Sequence, residues 1–133
     1  MALLQAGVPR ELLLHDVREG LAEGEAMDLS HGAPFLPAAT VRAAEIAEMT
    51  DCDAVVIAAG RNGKPGESRL ALLQENVAVV RSLGRALRGH GGLLVMVSNP
   101  VDVLTAVLAR ESGVAHERVI GTGTLLDTAR MRQ

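Results

Sequence analysis

Residues 53–97 read DAVVIAAGRNGKPGESRLALLQENVAVVRSLGRALRGHGGLLVMV. An apolar run, 53–59, passes without a spacer into a stretch punctuated by Gly60, Gly63, Pro65 and Gly66. From 67 to 88 the pattern changes. Leu70, Leu73, Val77, Val80, Leu83 and Leu87 recur every three or four residues, a spacing that lays one apolar face along a helix. A second apolar run, 93–97, follows. Neither run alternates strictly, which is how strands read when a parallel sheet buries both of their faces. Strand, helix and strand in this order make a βαβ unit.

The same alternation extends in both directions. Residues 12–14 form another apolar run, 19–29 and 102–111 are amphipathic, and 40–43 and 119–120 read as short strands before a final helix over 125–133. The pattern predicts an α/β protein with an open, doubly wound parallel sheet. Such a sheet ordinarily begins with a strand running into a glycine-rich turn, whereas residues 1–7 read as the tail of a helix. The chain therefore reads as a middle section, a sheet without its first strand and turn.

The 133 residues are 48% apolar, enough for one domain core or part of a larger one. A net charge of −3 and 1% aromatic content argue against a nucleic-acid partner, which needs a basic footprint and stacking platforms. The apolar runs are too short to span a bilayer, and the first residues lack the basic flank and apolar core of a signal peptide, so the expected location is cytoplasmic. The single cysteine, Cys52, allows neither an internal disulfide nor a cysteine metal cluster and reads as a small core residue; no metal is expected.

Sheets of this class bind ligands outside the carboxyl ends of their strands. Asp16 follows the run at 12–14. A carboxylate there can accept bonds from both hydroxyls of an adenine ribose and repel a 2′-phosphate, favouring NAD over NADP; it suits equally well the cap of a helix starting at Val17. After the run at 53–59, Gly60 lets the backbone approach a ligand, while Gly63, Pro65 and Gly66 shape a loop. Glu67 and Ser68 suit the first turn of the next helix, and Arg69 stands where loop closure would bring a guanidinium onto a substrate carbonyl. A solvated connection is the plainer alternative. In Ser98-Asn99-Pro100 the proline fixes the turn and holds Asn99, whose carboxamide both donates and accepts; a cis Asn99–Pro100 bond is expected, and the same tripeptide suits a simple helix start. Asp127 and Arg130, three apart, share a helical face. They can orient a histidine and grip a carboxylate, or form a surface ion pair.

Taken together, LLLHDV (12–17), GEAMDLSHG (24–32), DCDAVVIAAG (51–60), KPGESRL (64–70), SNPVD (98–102) and ERVIGTGTLLDTARMR (117–132) resemble the NAD-dependent L-lactate and malate dehydrogenase family across nearly the whole chain. EAMDLSHG and KPGESRL are more similar to the lactate branch. The resemblance implies a Rossmann-like fold, with a partial dinucleotide-binding domain over 1–121 and the start of the substrate domain over 122–133. It implies NAD as cofactor, a small 2-oxo or 2-hydroxy acid as partner, and a homo-oligomer. By the same resemblance Asp16 holds the adenine ribose, and Gly60, Arg61, Ser82, Val97, Ser98, Asn99 and Thr122 line the cofactor. Arg69 polarises the reacting carbonyl, Asn99 bonds the same oxygen, Arg130 clamps the carboxylate, and Asp127 orients a catalytic histidine. Arg132 matches a position that binds an allosteric sugar bisphosphate.

Two features of the family are expected outside these residues: the glycine-rich turn upstream and the catalytic histidine downstream. His15, His31, His90 and His116 read as structural or solvated, so the chain alone is expected to be catalytically incomplete. Gly63 departs from the pattern. In the family this position reads the far end of the substrate, with glutamine in lactate enzymes and arginine in malate enzymes. A malate-type enzyme, or a non-catalytic truncated remnant that binds nucleotide weakly, is the alternative reading.

Overall fold

The computed structural model describes residues 1–132; Gln133, the last residue of the expected final helix, lies outside the described residues. The chain divides into two compact units, Met1–Met49 and Thr50–Gln133. Both are built from parallel strands joined through helices, as the alternating pattern requires.

In the first unit a short helix, α1 (Ala2–Gln5), precedes strand β1 (Glu11–Leu14), helix α2 (Leu21–His31) and strand β2 (Thr40–Ala43). β1 and β2 pair in parallel, with Glu11 opposite Thr40 and Leu14 opposite Ala43. α2 starts two residues later than its amphipathic pattern suggests, because Gly20 in front of it takes a left-handed φ of 73°. Its small residues Ala22 and Ala26 are the buried ones. Arg42 spans from β2 to Glu11 (2.8 Å) and to Glu48 (2.7 Å).

The second unit holds strands β3 (Ala54–Ile57), β4 (Leu93–Met96) and β5 (Val119–Gly121), with helix α3 (Arg69–Ala86) between the first two, α4 (Val101–Ser112) between the last two, and α5 (Leu125–Met131) at the end. The strands pair in the order β3-β4-β5, all parallel. Gly92 makes the start of β4 possible: a Cβ there would lie 2.1 Å from the Asp53 carbonyl oxygen. The Asn99–Pro100 bond is cis, and α4 begins directly after it.

The core comprises Val55, Ile57, Leu94, Met96 and Val119 from the strands with Val80 from α3, Leu87 at its C-terminal cap, and Leu104 and Leu108 from α4. This corrects the expectation of strands buried on both faces. Successive strand residues point to opposite sides, and here the alternate set, including Val56 at 56% exposure, Leu93 and Ile120, stays open. The stripe on α3 is also corrected at one end. Ser68 caps the helix by accepting a bond from the Leu70 N–H (3.2 Å), so the helix begins at Arg69 rather than 67, and Leu70 in its first turn is 63% exposed. The buried face instead includes Asn76 and Gly84.

Candidate functional site

Because β3, β4 and β5 run parallel as neighbours, the residues leaving their carboxyl ends gather at one edge of the sheet. Gly60 and Arg61 follow β3; Val97, Ser98 and Asn99 follow β4; Thr122 follows β5. Hydrogen bonds carry the pairing beyond the strands. Val97 N–H donates to Ile57 O (3.0 Å) and Thr122 N–H to Met96 O (3.0 Å), and the Ser98 hydroxyl donates to Ala59 O (2.7 Å). This is where an open α/β sheet offers backbone groups to a ligand.

The loop after β3 is anchored on α3. Gly60 has φ +146°, a region that disfavours L side chains, and a Cβ on it would approach Asn76 Oδ1 to 3.2 Å. Arg61 N–H donates to Asn76 Oδ1 (2.9 Å), and Asn76 Nδ2 donates back to Arg61 O (3.3 Å). The Arg61 guanidinium is committed inside the loop: both terminal nitrogens bond the Glu67 carboxylate and Nε bonds Glu75. Glu67 also accepts from the Lys64 N–H (2.9 Å). The guanidinium bonds first, and the Lys64 amide second, pull the Glu67 carboxyl down to about 2, and Arg61 likewise holds Glu75 below its usual range. The backbone of Arg61 therefore stands at the carboxyl edge of the sheet while its charge is spent on the loop itself.

Arg69 is exposed at the loop–helix junction, and Gly63 is exposed in the loop, where a Cβ would touch Leu72 Cδ2 at 3.2 Å. Ser82 is exposed on α3. On α5, Asp127 and Arg130 bond each other at 3.4 Å, both about two-thirds exposed, and Arg132 caps the helix end.

In the first unit Asp16 lies just past β1. No helix starts at Val17, which removes the capping alternative; Asp16 Oδ1 instead accepts from the Arg18 N–H (2.9 Å) and Arg18 Nε (3.1 Å). The Arg18 side-chain bond, then its amide, hold the Asp16 carboxyl below the usual carboxylate range. The carboxylate is partly exposed, and Oδ2, which accepts only one long bond from Arg18 Nη2 (3.5 Å), keeps acceptor capacity for a ribose hydroxyl. Each unit by itself offers a fitting group, this carboxylate for a ribose in the first and the backbone cradle at Gly60 for a close-lying ligand in the second.

Among the described residues no group of His, Cys, Asp and Glu is arranged to hold a metal. His90 is buried, with Nδ1 3.0 Å from Thr50 O and Nε2 3.3 Å from Leu93 O, and His15 Nδ1 lies 3.0 Å from Ala44 O. Both are held by backbone, in keeping with a structural reading. Cys52 is only half-buried. The sequence reading missed Asn76 and the Arg61 partners. The available signal was an asparagine inside the apolar stripe of α3 and two glutamates flanking its start.

Parallel strands joined through helices, with polar residues and a glycine cradle collected at the strand carboxyl ends, define a dinucleotide-binding α/β domain. The family model for the lactate/malate dehydrogenase NAD binding domain matches residues 1–121, and the chain belongs to that family, with NAD as the domain's cofactor. It is 47% identical over 134 residues to L-lactate dehydrogenase 2 of Bacillus cereus, covering 98% of this chain and 43% of the relative. It is 46% identical to the L-lactate dehydrogenase of Kosmotoga olearia, covering 99% of this chain and 42% of that protein. Among solved structures, a ligand-bound minor L-lactate dehydrogenase from Enterococcus mundtii superposes with a TM-score of 0.94 at 41% identity, over 98% of this chain and 43% of that one. The chain thus spans less than half the length of these relatives. No helix among the described residues is long and apolar enough to cross a membrane.

Proposed function

We propose that this chain is the NAD-binding part of an L-lactate dehydrogenase-type oxidoreductase, with residues 122–133 opening the substrate domain. The observation that carries the reading is the stitched edge of β3, β4 and β5, which brings Gly60, Arg61, Val97, Ser98, Asn99 and Thr122 together in a domain of this family. Bound NAD supplies the hydride acceptor or donor for a small 2-hydroxy or 2-oxo acid. The chain's own residues bind and orient. Asp16 takes the ribose hydroxyls and disfavours a 2′-phosphate. Gly60 admits the cofactor close to backbone, and Asn99, in the turn between β4 and α4, donates to the reacting oxygen. Arg69 stabilises the charge developing on that oxygen, and Arg130, released from Asp127, grips the substrate carboxylate. Asp127 then orients the acid–base histidine, a role that none of the four histidines of this chain fills in this reading; without that group proton transfer loses roughly two to four orders of magnitude. Arg132 belongs to an allosteric anion site. Gly63 offers no side chain to the far end of the substrate, so size selection there rests on the loop backbone and Leu72. The working enzyme is a cytoplasmic, glycolytic homo-oligomer.

Calorimetric titration of the chain with NAD and NADP tests the proposal. NAD is expected to bind more tightly, and Asp16→Ser to erase the preference; equal affinity for the two in the native sequence would overturn the Asp16 assignment, and absence of NAD binding the whole reading. NADH-linked reduction of pyruvate or oxaloacetate by these residues alone would overturn their catalytic incompleteness.

A further inference from the structure

We propose that Asn76 is a positioning residue that sets the cofactor-side turn Gly60–Arg61 against α3, an inference that rests on reading the β3–β4 edge as the NAD site. Asn76 is 4% exposed and lies on the buried face of a helix whose other buried residues are apolar or glycine. Burying a carboxamide is costly unless both of its ends are bonded, and here both are. Its oxygen accepts from the Arg61 N–H at 2.9 Å and its nitrogen donates to the Arg61 carbonyl at 3.3 Å. The side chain thus treats Arg61 as a neighbouring strand would, satisfying both backbone groups of one residue. Two such bonds fix the peptide's orientation as well as its position.

Gly60 belongs to the same device. Its φ of +146° disfavours a side chain, and a Cβ there would lie a tight 3.2 Å from Asn76 Oδ1, so the turn packs closely on α3. The Arg61 side chain then folds back onto Glu67 and Glu75, so the turn is held from both its backbone and its guanidinium. Asn76 stands two helical turns from Arg69, about 10 Å along the axis and on nearly the same face. One rigid helix therefore carries Arg69 directly and the Gly60–Arg61 turn through Asn76, which sets the distance between the cofactor edge and the substrate arginine.

Amide hydrogen exchange on the chain, read by NMR alongside NAD titration, tests this. Asn76→Ala is expected to speed exchange of the Arg61 amide by about tenfold, the value of one lost hydrogen bond, and to weaken NAD binding by a similar factor. The Leu94 and Val95 amides of β4 serve as the control for intact folding. Gly60→Ala crowds the same carboxamide, and the Gly60→Ala, Asn76→Ala double variant should exchange no faster at Arg61 than the worse single one. Unchanged Arg61 exchange in Asn76→Ala, or additive effects in the double variant, would refute the clamp. Faster exchange with unaltered NAD affinity would refute its role in positioning the cofactor turn. If the native chain binds no NAD, the functional reading fails, and the exchange measurements still decide the clamp.

Discussion

Glu67 shows how far a local environment can reshape one side chain. The loop sequence places it before a helix, where its charge suits the N-terminus; the folded chain turns it back onto Arg61 and the Lys64 amide. Its folded pKa, about 2, lies below the ordinary value of 4.5, so its contribution to loop order is fully present above about pH 4.5 and is lost as the pH falls through 2. A carbon-detected NMR titration should follow the Glu67 carboxyl titrating near 2, and titration near 4.5 would show that the Arg61 fork is not made in solution. Glu67→Gln should remove this acid transition and leave the Lys64 amide exchanging faster at neutral pH. Asp16, just past β1, follows the same logic: Arg18→Ala is expected to raise its pKa back towards the ordinary range, checked by the same titration.

At the scale of the element, α3 separates periodicity from burial. Leu70 and Leu87 belong to one stripe in the sequence, yet Leu70 is largely exposed in the first turn and Leu87 is completely buried. Leu87→Ala is expected to cost about 2–5 kcal/mol in urea unfolding. Leu70→Ala is expected to cost less than about 0.5 kcal/mol. Equal losses would mean that the helix is buried along its whole length, as the stripe alone suggests. Gly92→Ala probes the neighbouring strand start. With only 2.1 Å to the Asp53 oxygen, the added methyl forces β4 away from β3, and a loss of about 3 kcal/mol or more is expected in the same experiment.

For the molecule as a whole, the open side of the β3-β4-β5 sheet is the dominant surface feature of the second unit. Val56, Leu93 and Ile120 are each at least 40% exposed, and the opposite set Val55, Ile57, Leu94, Met96 and Val119 is buried. A contiguous apolar face of this kind binds hydrophobic probes. We expect the chain to enhance the fluorescence of anilinonaphthalene sulfonate in its folded state, and Val56→Thr with Ile120→Thr to lower that signal without lowering the urea midpoint. A falling midpoint would show that these residues pack against something in solution.

The order of strands and helices, the residues at the strand carboxyl ends and the cis proline turn were legible in the sequence, because each depends on a repeat or a tripeptide only a few residues long. The tertiary structure decided which face of each strand was covered, because that depends on where the helices come to lie and an apolar run reads alike in either case. It also decided the partners of Arg61. Asn76 and Glu75 stand more than a dozen positions further along the chain, and only the register of α3 against the loop brings them to the same peptide. The sequence marked Gly60 as a ligand-side position by its place after a strand, and Arg61 entered only through the family resemblance; what holds that turn in place depends on contacts that no short-range pattern encodes.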